Sequence, residues 1–182
     1  MNRDALTEIF DLYAPALYKY AFRLCPSAVR ADQIVGAVFT RLSDEFSVGL
    51  GPRANLRPHL FEIAHRLVMD EIHYSSRVKK LDSVDLWRNE GPVAGLSARD
   101  RKLIEIVLRA IRNELTEDQR HVLILRFIED FSVKETALIV GKSVSNVKVI
   151  QNRAITTLRR ALDYKVVETR DISFLIRSMA HA

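Results

Sequence analysis

Nearly every periodic stretch of this chain places apolar residues three and four positions apart, the spacing of one helical face. Leu6, Ile9, Phe10, Tyr13, Leu17, Tyr20, Ala21 and Leu24 trace a first helix or helix pair, with Pro15 inside the run and expected to bend or interrupt it. After Cys25-Pro26, Ser27 offers a cap, and Ala31, Ile34, Val35, Val38, Phe39, Leu42 and Phe46 form a second stripe. The turn-rich stretch from Ser47 to Asn55 reads as a loop. Pro58 is placed as a first helical residue, ahead of a third stripe of Leu60, Phe61, Ala64, Leu67, Val68 and Ile72.

From about Ser75 to Ala98 the period fails, and Gly91-Pro92 and Gly95 break the chain further. This predicts a linker between two helical domains, with Trp87 as a docking residue inside it. Helix is expected to resume near Arg99, with Ile104, Val107, Leu108, Ile111 and Leu115 on one face. Thr116 and Gln119 are spaced as a capping box ahead of Val122, Leu123, Leu125 and Phe127. The fold class is therefore all-α: two small helical domains and a connection.

The densest pattern is FSVKETALIVGKSVSNVKVIQNRAITTLRR, from Phe131 to Arg160. Ser132 and Glu135 make a second capping box, Gly141 supplies the left-handed residue that ends a helix, and Ser143 caps the next. In that next helix Val147, Ile150, Ala154, Leu158 and Ala161 recur at helical spacing. Two helices joined by so short a turn cross steeply, as in the motif that presents its second helix to a DNA major groove. From Lys142 to Lys165 there are six basic residues and one acid, Asp163. A phosphate backbone calls for that imbalance, and a packing helix does not.

Composition narrows the function without fixing it. With 182 residues, 48% apolar and 28% charged, the chain reads as an ordinary globular protein. The net charge of +5 permits a nucleic-acid partner. A lone Cys25 excludes an internal disulfide and fits a reducing compartment, and no apolar run or signal peptide suggests membrane insertion, so a cytoplasmic location is expected. Nothing points to an enzyme, a cofactor or a metal. Glu62 and His65 have the Glu-x-x-His spacing of di-iron bundles but lack a second copy, and no phosphate-binding glycine loop or nucleophile elbow is present.

The two halves together resemble the extracytoplasmic-function group of the sigma-70 family. The run LTEDQRHVLILRFIEDFSVKETALIVGKSVSNVKVIQNRAITTLRR, about Leu115 to Arg160, follows that family's region 4. ADQIVGAVFTRL is similar to the polymerase-binding helix of region 2, and RPHLFEIAHRLVMDEI to its promoter-melting helix, so the likeness covers about Ile9 to Leu162. The resemblance implies a region-2-like domain over 1–75, a linker over 76–98, a region-4-like helix-turn-helix domain over 99–165 and a tail over 166–182 whose role is not legible. Departures fall at Gly36-Ala37, where the family commonly has Gln-Glu, and at Gln33, where it has an acid. They bear on affinity for core polymerase. Arg66 stands for the usual Asn and His73 for the usual Arg, which bears on the −10 sequence recognised. Gly36 in mid-helix also costs about 1 kcal/mol relative to Ala, so close approach of another helix is expected there.

By that resemblance the chain is a transcription initiation factor whose partners are core RNA polymerase, promoter DNA and an anti-sigma factor. Region 4 would read the −35 element through Lys148, Val149, Asn152 and Arg153, with Asn146 beside them. Arg donates twice to guanine, Asn pairs with adenine, and Val meets a thymine methyl. Lys142, Ser145 and Arg126 would hold phosphates. Region 2 would engage the −10 strand through Arg53, Asn55, His59, Glu62, Arg66, Met69 and His73, with Tyr74, Arg77, Lys79 and Lys80 continuing a basic edge. Asp32, Gln33 and Arg41 would face polymerase. The rival reading is a freestanding helix-turn-helix regulator with an amino-terminal sensing or dimerisation domain, which predicts tight binding to a symmetric operator without polymerase.

Overall fold

The computed structural model describes residues 3–52, 55–78, 106–107 and 109–162. Trp87, the resumption of helix near Arg99, Arg53, Lys79, Lys80 and the tail all lie outside the described residues, as does the side chain of Arg77. The chain divides into two compact units, 1–86 and 87–182. Every regular element among the described residues is helical.

The first unit is built from α1 (Arg3–Leu24), α2 (Ala28–Ser47) and α3 (Leu56–Val78), each packed on the other two. α1 is one continuous helix through Pro15. Proline leaves the carbonyl four residues back without its donor. Here both Pro15 and Asp11 are exposed, so water can serve that carbonyl and the helix need not break. The stripe of α2 is buried from Ala31 through Leu42 as its spacing requires, and the Ser27 hydroxyl accepts from the Arg30 backbone N–H. α2 ends on a left-handed Gly49 at φ 73, with the Leu50 N–H donating 2.7 Å to the Glu45 carbonyl.

α3 begins at Leu56, two residues ahead of Pro58, which therefore sits in the first turn where its missing N–H costs no helical bond. The helix continues to Val78, past the limit of 75 read from the sequence. Leu17, Tyr20, Ala21, Val38, Leu42, Leu60, Phe61, Ala64 and Val68 close the core, each large apolar side chain contributing about 1.5–3 kcal/mol. Tyr20 meets Phe61 edge-on at 5.3 Å, and its hydroxyl lies 3.2 Å from His65 Nδ1. Cys25 is buried, its Sγ 3.9 Å from the Val68 carbonyl. Gly36 is exposed, and a Cβ built there meets nothing within 4 Å. Among the described residues, the close helix approach expected at this glycine is absent.

In the second unit, helical residues 109–114 precede α4 (Glu117–Leu123), which opens into a π-helical turn (Ile124–Ile128). α5 (Val133–Ile139) and α6 (Val144–Ala161) complete it. Both capping boxes form: Thr116 with Gln119, and Ser132 with Glu135. The π turn closes with the Glu129 N–H on the Ile124 carbonyl at 2.9 Å, and the chain leaves it through Asp130 at φ 53. Val122 of α4, Ala137 of α5 and Val147 of α6 form a small shared core, with Val133, Val140 and Ile150 packed around it. On α6 Leu162, not Ala161, completes the buried row after Leu158. Leu162 lies four residues on, just past the helix end, whereas Ala161 faces solvent.

Candidate nucleic-acid interface

The turn between α5 and α6 is defined by its backbone bonds. Gly141 has φ 64, its N–H donates to the Leu138 carbonyl at 3.2 Å, and the Lys142 N–H donates to the Ala137 carbonyl at 3.0 Å. This six-to-one, five-to-two pair ends α5 within two residues. The Ser143 hydroxyl then accepts from the Asn146 backbone N–H at 3.2 Å and starts α6 at once. Both helices bury their inner faces in the shared core, so α6 has one remaining face for anything else.

That face carries the residues anticipated for base reading. Ser145, Asn146, Lys148, Asn152 and Arg153 are exposed, and Val149 is 45% exposed despite its apolar side chain. From Ser145 to Arg153 the row spans about 12 Å at the helical rise, comparable to the width of a DNA major groove. Lys148 and Arg153 make no hydrogen bond or ion pair among the described residues, so their donors are uncommitted. The structure thus brings the six together on one surface.

The two outlying cations differ from these. Lys142 Nζ lies 3.1 Å from Asp118 Oδ2 in a partly exposed surface pair, the kind worth about 0–1 kcal/mol, which a phosphate can displace. Arg126 is held inward: its Nε donates to Gln151 Oε1 at 3.1 Å, and an Nη1 proton goes to the Phe131 carbonyl. Sequence reasoning passed over Gln151 because it falls between the buried row and the outward row. Only the fold brings it to Arg126, 25 residues away.

The first unit presents a second surface. Asn55, Arg66 and His73 are exposed, and Met69 is half-buried. His59 and Glu62 are less available. His59 Nε2 lies 2.6 Å from Glu45 Oε2, its Nδ1 lies 3.9 Å from Glu62 Oε2, and Glu62 Oε1 pairs with Arg66 Nη2. Glu45 also takes Arg41 Nε at 3.4 Å. Among the residues expected to face polymerase, Asp32 is exposed, Gln33 accepts from Arg30 Nη1 at 3.1 Å, and Arg41 leans on Glu45. Arg30 in turn reaches Glu71 of α3 at 3.3 Å. Glu45 and Arg30, each at the centre of its own set of polar contacts, left no signature in the sequence beyond ordinary surface charge. Glu62 and His65, spaced as metal ligands, are instead engaged with Arg66 and with Tyr20. Among the described residues no group of three or more His, Cys, Asp or Glu could hold a metal ion, and no helix is long and apolar enough to cross a membrane.

Comparison with known proteins agrees with this geometry. Residues 113–160, spanning α4 to α6, match the family model for sigma-70, region 4. The chain is 25% identical over 170 residues to the ECF RNA polymerase sigma factor SigX of Bacillus subtilis, covering 90% of this chain and 86% of that protein. It is 27% identical over 166 residues to the ECF RNA polymerase sigma factor BldN of Streptomyces coelicolor, covering 87% of this chain but 61% of that longer protein. Among solved structures, the sigma factor RpoE in complex with the anti-sigma factor NepR from Bartonella quintana shares the fold. Its TM-score is 0.64 at 21% identity, over 86% of this chain and 95% of that one. The likeness to extracytoplasmic-function sigma factors thus runs through both helical units, and the sigma-70 region 4 match falls on the segment that carries the exposed row of α6.

Proposed function

We infer that this chain is a transcription initiation factor, which binds core RNA polymerase and directs it to promoters. The observation that carries the reading is the outward row of α6, where Lys148, Val149, Asn152 and Arg153 stand exposed behind a two-residue turn. In this reading α6 enters the major groove of a −35 element, with Arg153 on guanine and Asn152 on adenine. Lys142, Ser145 and Arg126 hold the flanking phosphates. The amino-terminal unit captures the opened −10 strand through Asn55, Arg66, Met69 and His73, with Arg53 as a further candidate. Asp32, Gln33 and Arg41 on α2 meet polymerase. The work is done by binding: base capture opens the duplex, and no bond of substrate is made or broken. Residues 1–75 and 99–165 form the two DNA-facing modules, and 76–98 joins them.

The Bartonella relative is held by an anti-sigma factor, and an equivalent partner for this chain fits the same surfaces. The cytoplasm, where polymerase transcribes, is the compartment in which such a factor acts. The freestanding-regulator reading is disfavoured by sigma-factor likeness that extends over the amino-terminal unit as well as the helix-turn-helix. Co-purification of core polymerase with the purified chain tests the reading. Retention of polymerase at near-stoichiometric yield is expected. A chain that leaves polymerase in the flow-through yet binds a palindromic duplex alone would establish the regulator instead.

A further inference from the structure

Arg126 is the one expected phosphate contact that the protein itself grips from two sides. It lies in the middle of the π turn, whose wider loop carries it past α4 toward the start of α5 and the flank of α6. Two of its five N–H donors are spent internally, one on the Phe131 carbonyl and one on Gln151 Oε1. The fork thereby links three segments at once: the π turn that carries it, the Phe131 carbonyl ahead of α5, and the Gln151 side chain of α6. Three donors remain uncommitted among the described residues. Neither Lys142, paired loosely with Asp118, nor Lys148, exposed and unpaired, is held in this way.

We propose that Gln151 is a positioning residue for promoter binding: its side-chain carbonyl fixes the Arg126 guanidinium against the recognition helix, so that the remaining donors meet a backbone phosphate without first being ordered. The inference rests on the promoter-binding role given above and deepens it. A long cationic side chain loses rotamer freedom when it grips a phosphate, and fixing it beforehand removes that cost from the binding step. The Gln151 amide group touches no base in this arrangement. Its effect passes wholly through Arg126.

That dependence makes a double-mutant cycle decisive. The full chain is assembled with core polymerase, and promoter affinity is measured across a range of salt for Gln151→Met, Arg126→Ala and the pair. Methionine keeps the length and helix preference of the side chain but has no strong acceptor. Gln151→Met should weaken binding by roughly three- to tenfold and leave the slope of log affinity on log salt unchanged, because the phosphate contact persists. Arg126→Ala should weaken it more and lower that slope by about one, the loss of one phosphate contact. In the Arg126→Ala background, Gln151→Met should do nothing further. A slope unaltered by Arg126→Ala, or an undiminished Gln151→Met effect without Arg126, overturns the proposal. Melting curves for each variant identify simple unfolding, and Gln151→Asn, with its shorter reach, provides a second folded variant lacking the contact. If the unsubstituted chain captures no polymerase, the functional reading fails and takes this inference with it. Capture with an additive cycle sinks the inference alone.

Discussion

His59 on α3 and Glu45 on α2 meet through Nε2 and Oε2 at 2.6 Å, joining two helices that also share the Arg30–Glu71 ion pair. The pair is partly screened from water, with side-chain exposures of 25% and 21%, and Glu45 also receives Arg41. A residue expected to meet the −10 strand is thus held by the same carboxylate as one expected to meet polymerase. Glu45→Ala should destabilise the amino-terminal unit by about 1 kcal/mol, and His59→Ala by a similar amount. The double mutant should cost no more than about one of them, because a single interaction is lost. Urea unfolding of the four proteins measures the coupling, and simple additivity would show that the contact contributes nothing.

Two glycines on exposed turns of backbone should respond in opposite directions. Gly36 lies inside α2 with open space around its missing Cβ, so Gly36→Ala should stabilise by up to about 1 kcal/mol. Gly141 also has open space but sits at φ 64, so Gly141→Ala should cost about 1–2 kcal/mol through the backbone alone. Thermal melts of the two variants check both signs. If Gly36→Ala lowered the melting temperature, the exposed placement of that residue on α2 would be contradicted.

Ser143 links the turn to α6 through the bond its hydroxyl accepts from the Asn146 backbone N–H, with the Ser145 hydroxyl 3.1 Å away. Ser143→Ala should therefore cost about 1 kcal/mol, and Ser143→Asp should retain the cap. Hydrogen exchange resolved along α6 should show faster exchange confined to its first turn in the alanine variant. Uniform acceleration along α6 would mean that the cap supports the whole unit.

The local chemistry of these elements was legible because it is written in short spacings. The capping boxes at Thr116–Gln119 and Ser132–Glu135, the left-handed Gly141 and the α2 stripe each depend on neighbours within four or five residues, and all formed. The π turn was hidden because Ile124, Leu125, Phe127 and Ile128 fit an ordinary helical stripe equally well. Pro15 does not interrupt α1, because its exposed position lets solvent satisfy the carbonyl it frees. The outward placement of the α6 row followed from the spacing of Val147, Ile150 and Ala154, and its assignment to base edges from the family resemblance. What periodicity could not reveal were partnerships across long separations, Arg126 with Gln151 and His59 with Glu45, since each depends on how helices pack. Among the described residues, no close helix contact compensates for Gly36.

Arg153 and Asn152 are exposed and lie away from the shared core of α4, α5 and α6, so replacing them should change recognition without changing the fold. Arg153→Ala should reduce promoter-specific initiation by roughly 5- to 150-fold, the loss of about 1–3 kcal/mol for a bidentate base contact, while polymerase capture and melting temperature stay unchanged. Loss of capture together with initiation would point to unfolding rather than to base reading.

The most direct measurement of the central claim is transcription of fragmented bacterial genomic DNA by core RNA polymerase, with and without the purified chain, followed by sequencing of transcript 5′ ends. Addition of the chain should create a discrete set of start sites that share two upstream boxes, and Arg153→Ala should erode the box farther from the start. An unchanged distribution of 5′ ends, from a chain shown to be folded, would contradict the account.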